Sequence, residues 1–156
     1  MKATGIVRRI DELGRIVIPK EIRRTLRIRE TDPMEIFTDK EGEIVLKKYS
    51  PLGGLAECAK TYAESLARTT GNIVCISDRE QIIAASGTSR RELVEKPVSQ
   101  KLEQVMQDRE TVLADSTQRQ YVTISDSFSD ESQSQVIAPI ISHGDVLGAV
   151  IMRSKN

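Results

Sequence analysis

Apolar and polar positions alternate in short runs over the first fifty residues, and beyond them the spacing lengthens to that of a helix. Ile6-Val7-Arg8-Arg9-Ile10 and Arg15-Ile16-Val17-Ile18 read as short strands. The turn Asp11-Glu12-Leu13-Gly14 joins them, with Gly14 suited to a positive φ. Pro19 stands where a helix begins, because its fixed φ and missing N–H cost nothing there, and the pattern predicts a helix over 20–27. Met34-Glu35-Ile36-Phe37-Thr38 and Glu43-Ile44-Val45-Leu46-Lys47 predict a hairpin around Asp39-Lys40-Glu41-Gly42. A β-β-α-β-β unit this small has too little apolar material for a core of its own, and oligomerisation is the usual remedy.

Tyr49-Ser50-Pro51-Leu52-Gly53-Gly54 reads as a junction. Leu52, Leu55, Ala56, Ala59, Tyr62, Ala63, Leu66 and Ala67 then follow helical spacing, and Gly71 is a good stop. Strands are expected over 72–77 and 81–85, around the turn Asp78-Arg79-Glu80. Ser89-Arg90-Arg91-Glu92 has the form of a capping box, and Ser99 suits the cap of a second helix carrying Leu102, Val105 and Met106. A further strand is expected over 121–124, followed by a polar loop over 125–134. A last hairpin is expected from 135–141 and 146–152 around Ser142-His143-Gly144-Asp145. This half predicts an antiparallel sheet flanked by helices.

The 156 residues allow one domain or two small ones. No apolar run approaches the roughly 18 residues of a membrane helix, and the N-terminus carries no apolar signal region, so a cytoplasmic chain without a membrane partner is expected. Two cysteines make no disulfide framework, which fits a reducing compartment. The net charge of zero hides an asymmetry. Residues 1–30 hold nine Lys/Arg against four Asp/Glu, a net of +5; residues 31–50 carry three against five, and residues 51–156 carry 11 against 14. A basic head on an acidic body suits a polyanionic partner at one end, although a solvated face would carry the same charges.

On the predicted helix, Ile22 and Leu26 lie about 40° apart, whereas Arg23, Arg24 and Arg27 point to the other side, at about 100° per residue. Arg8, Arg9 and Arg15 lie on the strands that bracket the same turn. Guanidinium forks suit phosphates and guanine edges alike. A symmetric dimer would present two such sets to a duplex. The absence of interleaved aromatics disfavours stacking on single strands.

Residues 2–19, with Glu21-Ile22-Arg23-Arg24-Thr25-Leu26, Glu35-Ile36-Phe37 and Leu46-Lys47-Lys48-Tyr49-Ser50-Pro51, closely resemble the AbrB-like transition-state regulators. The resemblance covers 1–51. It implies a swapped-hairpin β-barrel, an intertwined homodimer that binds double-stranded DNA and reads its shape and deformability. The family's DNA-contacting arginines fall on Arg8, Arg15, Arg23 and Arg24, with a basic residue matched at Arg9; Lys2 and Arg27 complete the candidate DNA-binding set. Residues 73–79, Ala138-Pro139-Ile140-Ile141 and Gly144-Asp145-Val146-Leu147-Gly148-Ala149-Val150 resemble the GAF-like half of sporulation regulators built on such a head. The expected class is therefore α+β: an AbrB-like domain over 1–51, then a GAF-like sensory or oligomerisation domain over 55–156. The resemblance implies a regulator that activates and represses sporulation genes on the nucleoid. Those regulators end in a further helix that packs beside the first GAF-like helix, whereas this sequence stops at Asn156, which leaves a tetramer through this half open.

Other chemistry is thinly represented. His143 is the one histidine, in a turn, so neither a His-based metal site nor a triad has its parts, and no enzyme, metal or cofactor is expected. Cys58 and Cys75 read as small core hydrophobes. In the GAF-like half, 85–115 would line the usual small-molecule pocket, whose ligand is unidentified and, with so few aromatics, would lack stacking partners. Similar heads occur in antitoxins, which makes a protein-interaction module that also binds its own promoter the second reading.

Overall fold

The computed structural model describes residues 2–50, 52–87, 90–128 and 131–154. The chain divides into two compact units, Met1–Tyr49 and Ser50–Asn156.

In the first unit, helix α1 spans Lys20–Thr25, and strands β1 (Met34–Thr38) and β2 (Ile44–Lys48) pair antiparallel with Ile36 opposite Leu46. The β1–β2 turn is closed by Asp39, whose Oδ1 accepts the N–H groups of Glu41 (3.0 Å) and Glu43 (2.8 Å), with Gly42 at φ +84°. The expected helix to Arg27 stops two residues sooner. Arg27 takes φ +54°, and the N–H groups of Arg27 and Ile28 turn back to the carbonyls of Arg24 (3.3 Å) and Arg23 (2.8 Å). That is a Schellman termination, and it removes Arg27 from the helix face.

The strands expected over 6–10 and 15–18 form no ladder among the described residues. A strand needs an edge to pair with and a surface to cover, and among the described residues neither segment engages one. Val7, Ile10, Leu13, Ile16 and Val17 are all exposed, Val7 to 84%. The β1–β2 hairpin likewise leaves Ile36, Phe37, Ile44 and Leu46 in solvent. Two strands with an uncovered apolar face are marginal in water.

The second unit is a closed piece of architecture. A 3₁₀ turn at Gly53–Leu55 leads into α2 (Ala56–Thr70), which ends at Gly71 in the left-handed conformation (φ +72°). Strands β3 (Ile73–Asp78), β4 (Ile82–Ser86), β5 (Val112–Asp115), β6 (Ser134–Ser142) and β7 (Asp145–Ser154) form one antiparallel sheet in the order β4-β3-β7-β6-β5. Short helix α3 (Arg90–Leu93) and α4 (Gln100–Asp108) connect β4 to β5. Ser99 caps α4, its Oγ accepting the Leu102 N–H at 3.0 Å. The proposed cap Ser89 lies outside the described residues.

Both sheet faces are covered in part by helices. On one face Leu93, Val98, Leu102 and Met106 pack with Cys75, Ile82, Ile137 and Ile151 as a continuous core. Within 85–115, Ala85, Leu93, Val98, Leu102 and Met106 supply side chains to this core. On the other face Ala59 and Ala63 of α2 pack on Val74, Ile76 and Ala84.

Three expectations are corrected here. α2 presents its alanines to the sheet, leaving Tyr62 and Leu66 exposed, as is Leu55 in the turn before it, because small side chains let the helix axis approach the strands closely. Cys58 is exposed with them, and only Cys75 is buried. The strand expected over 121–124 is no strand; β5 takes the edge beside β6 instead, with Val112 opposite Ile137. Val122 and Ile124 are buried as their alternation implied, but their segment's carbonyls are used otherwise. Ser99 donates through Oγ to the Thr123 carbonyl (2.5 Å) and through N–H to that of Ile124 (2.8 Å). Arg153 Nη2 donates to the Val122 carbonyl.

Candidate nucleic-acid interface

All seven basic residues singled out in the sequence are exposed. Lys2, Arg8 and Arg9 lie ahead of the Asp11–Gly14 turn and Arg15 directly after it. Arg23 and Arg24 occupy the last turn of α1, where a cation meets the negative end of the helix dipole. Arg27 sits in the left-handed turn that ends the helix.

Two of the arginines are held by the protein through Nε. Arg15 Nε donates to Asp11 Oδ2 at 2.8 Å in an ion pair, and Arg23 Nε donates to the Ile18 carbonyl at 3.1 Å. Arg8 makes a looser bond, Nη1 to the neighbouring Val7 carbonyl at 3.3 Å. The Asp11 carboxyl is pulled below the ordinary aspartate range, first by the backbone N–H of Arg15, then by its guanidinium, and further by the N–H of Leu13.

Asp11, which the sequence places in a turn, is the partner of Arg15 that sequence reasoning missed. The signal was present in Asp11-Glu12-Leu13-Gly14-Arg15: an aspartate that closes a turn on its own backbone, with an arginine four residues on. For Arg23 no such signal exists, because its partner is a backbone carbonyl.

Elsewhere, one group of acidic side chains lies close together among the described residues, Asp39, Glu41 and Glu43, all exposed in the β1–β2 turn. His143 is an exposed turn residue at φ +50°. No helix of the described residues is long and apolar enough to cross a membrane. The exposed, basic, partly ordered guanidinium set in the first unit is thus the strongest candidate site: its charge suits a polyanion, and a guanidinium fork suits phosphate.

Comparison with known proteins matches the two parts of the chain to two families. The family described as Stage V sporulation protein T C-terminal, transcription factor, matches residues 54–156. Residues 7–53 match the family described as Antidote-toxin recognition MazE, bacterial antitoxin. Stage V sporulation protein T of Bacillus subtilis (strain 168) is 49% identical over all 156 residues, which span 86% of that relative. Transition state regulatory protein AbrB of the same organism is 47% identical over 85 residues, 54% of this chain and 88% of that protein. Among solved structures, type II free methionine-R-sulfoxide reductase from Thermoplasma acidophilum is similar in fold, with TM-score 0.52 and 13% identity over 67% of this chain and 78% of that one. At that identity the likeness extends to an α+β fold and no further. With full-length identity to one relative and a family match over most of the chain, the protein belongs to the stage V sporulation protein T family of transcription factors.

Proposed function

We propose that this transcription regulator binds double-stranded DNA through the first unit as an intertwined homodimer of the AbrB-like swapped-hairpin type. Lys2, Arg8, Arg9, Arg15, Arg23, Arg24 and Arg27 make up the DNA-facing set. It acts in the cytoplasm on sporulation genes, as activator and repressor, with a head over 1–51 and a GAF-like domain over 55–156.

The observation that carries this reading is the pairing of exposed guanidiniums with uncovered apolar segments in one small unit. Val7, Ile10, Ile16 and Val17 are left exposed among the described residues of this unit. A second copy that interleaves its own 6–10 and 15–18 segments supplies both the missing strand partners and the missing core. The same closure doubles the arginine set, as a two-fold site on duplex DNA requires.

A mobility-shift titration with the full chain tests it. Arg23→Ala and Arg24→Ala weaken binding strongly, and each lost phosphate contact flattens the plot of log K against log salt by about 0.9. Arg79→Ala, in the turn between β3 and β4, leaves both unchanged. Unaltered affinity in the first two variants refutes the placement of the site. The antitoxin-family match over 7–53 supports a second reading, a module that binds a protein partner as well as its promoter. Co-purification of a toxin from the native host would favour it. Against it stands the body of the chain, a sheet with buried cores in place of an acidic tail.

A further inference from the structure

The Asp11 carboxylate divides its two oxygens between two tasks. Oδ1 accepts the backbone N–H groups of Leu13 (2.9 Å) and Arg15 (2.8 Å), and so holds the turn. Backbone bonds close the same turn, from Asp11 N–H to the Arg15 carbonyl and from Gly14 N–H to the Asp11 carbonyl, both 3.0 Å. Oδ2 takes no part in that turn and accepts only from Arg15 Nε, at 2.8 Å.

The Arg15 and Asp11 side chains are 70% and 40% exposed, and an ion pair this open to water adds little to stability. Its effect is geometric. With Nε engaged, the guanidinium plane is held and its outer edge consists of Nη1 and Nη2. Neither bonds to the protein among the described residues. Those two nitrogens form the fork that meets a phosphate or a guanine edge end-on. Arg23 is held in the same manner through Ile18.

We propose that Asp11 is a positioning residue for DNA binding, whose carboxylate holds Arg15 with its terminal nitrogens outward before DNA arrives. This rests on the reading of Arg15 as a DNA contact. It accounts for an acid placed inside a basic head. Plain electrostatics predicts that removing a negative charge there tightens binding to a polyanion. Positioning predicts the opposite sign, since an unheld arginine must be ordered when the complex forms.

The test uses the full chain, Asp11→Asn, and a fluorescein-labelled A·T-rich duplex of about 30 base pairs, roughly three helical turns. Asparagine keeps an acceptor for the two turn N–H groups and loses the acceptor for Nε. Fluorescence anisotropy should show affinity reduced about 2–10-fold, the equivalent of one side chain ordered on binding. The salt slope should match the parent, because Arg15 still reaches its phosphate. Arg15→Ala should bind more weakly and flatten the slope by about 0.9, and adding Asp11→Asn to it should change nothing further. Equal or tighter binding by Asp11→Asn overturns the proposal. So does a loss that persists in the Arg15→Ala background, which would belong to the turn; this second criterion decides the matter even if Asp11→Asn lowers the thermal midpoint. If Arg15→Ala binds like the parent, the assignment of Arg15 as a contact fails first, and the role of Asp11 with it.

Discussion

Arg153 and Gln135 stand opposite each other on β7 and β6, both buried, and Arg153 Nη2 donates to Gln135 Oε1 at 3.2 Å. The same guanidinium lies 5.0 Å from the centre of the Tyr121 ring and donates to the Val122 carbonyl. Tyr121 in turn donates its hydroxyl to the Ser132 carbonyl at 2.9 Å. One buried cation thus ties the irregular stretch between β5 and β6 to the sheet.

Replacing that cation takes a donor from two acceptors at once. Arg153→Leu should cost about 2–4 kcal/mol in urea unfolding of the full chain, because the Val122 carbonyl and Gln135 lose a charged donor in a buried place. Arg153→Lys should recover little, since an ammonium cannot serve both acceptors and the ring together.

Two glycines separate steric from conformational cost. A Cβ on Gly148 would sit 1.9 Å from the Ser77 carbonyl oxygen, on the strand paired beside it. Gly148→Ala should therefore destabilise by about 3 kcal/mol or more, through forced separation of β3 and β7. Gly144, in the β6–β7 turn at φ +83°, has open space around its Cβ position. Gly144→Ala should cost only about 1–2 kcal/mol, the penalty of a left-handed conformation. Thermal melting of the two variants side by side measures the difference.

Asp11 should titrate below 3.8, the ordinary aspartate value, in an NMR pH series on its carboxyl carbon. Arg15→Ala should raise the midpoint only part of the way back, because the backbone N–H of residue 15 is the largest cause of the depression and survives the substitution. The folded value being the lower one, the favourable contribution is present above 3.8 and is lost as pH falls through the folded midpoint. The carboxylate that accepts from Arg15 is therefore charged at neutral pH.

Residues 1–55 expressed alone should sediment as a folded dimer. A stable, folded monomer of that length would contradict the intertwined head, given how much apolar surface a single copy exposes.

The elements legible in the sequence were those whose cause is local. The β1–β2 hairpin needed only alternation and the Asp39–Gly42 turn. α2 needed helical spacing and Gly71, and α4 needed Ser99 as its cap. The β3–β4 and β6–β7 pairs follow from short turns between apolar runs. The basic character of 1–30 was legible for the same reason, since charge is additive along a chain. What escaped was each feature set by a distant partner. Tyr62 reads as apolar on any helical wheel, yet only the sheet decides that alanines face inward. The alternation in 121–124 is real, but whether such a segment joins a sheet depends on which stretch reaches the β6 edge, and Val112–Asp115 does.

By itself, then, the sequence determined the order and type of most elements, the basic head and the family resemblance, because spacing, turn chemistry and charge act over a few residues. Only the tertiary structure decided which helix face is buried, which strand closes the sheet, and where Arg27 lies once the helix terminates early. It alone showed that the Ile18 carbonyl holds the Nε of Arg23. Those outcomes depend on packing and hydrogen-bond partners that folding brings together, and on directions in space that no spacing along the chain encodes.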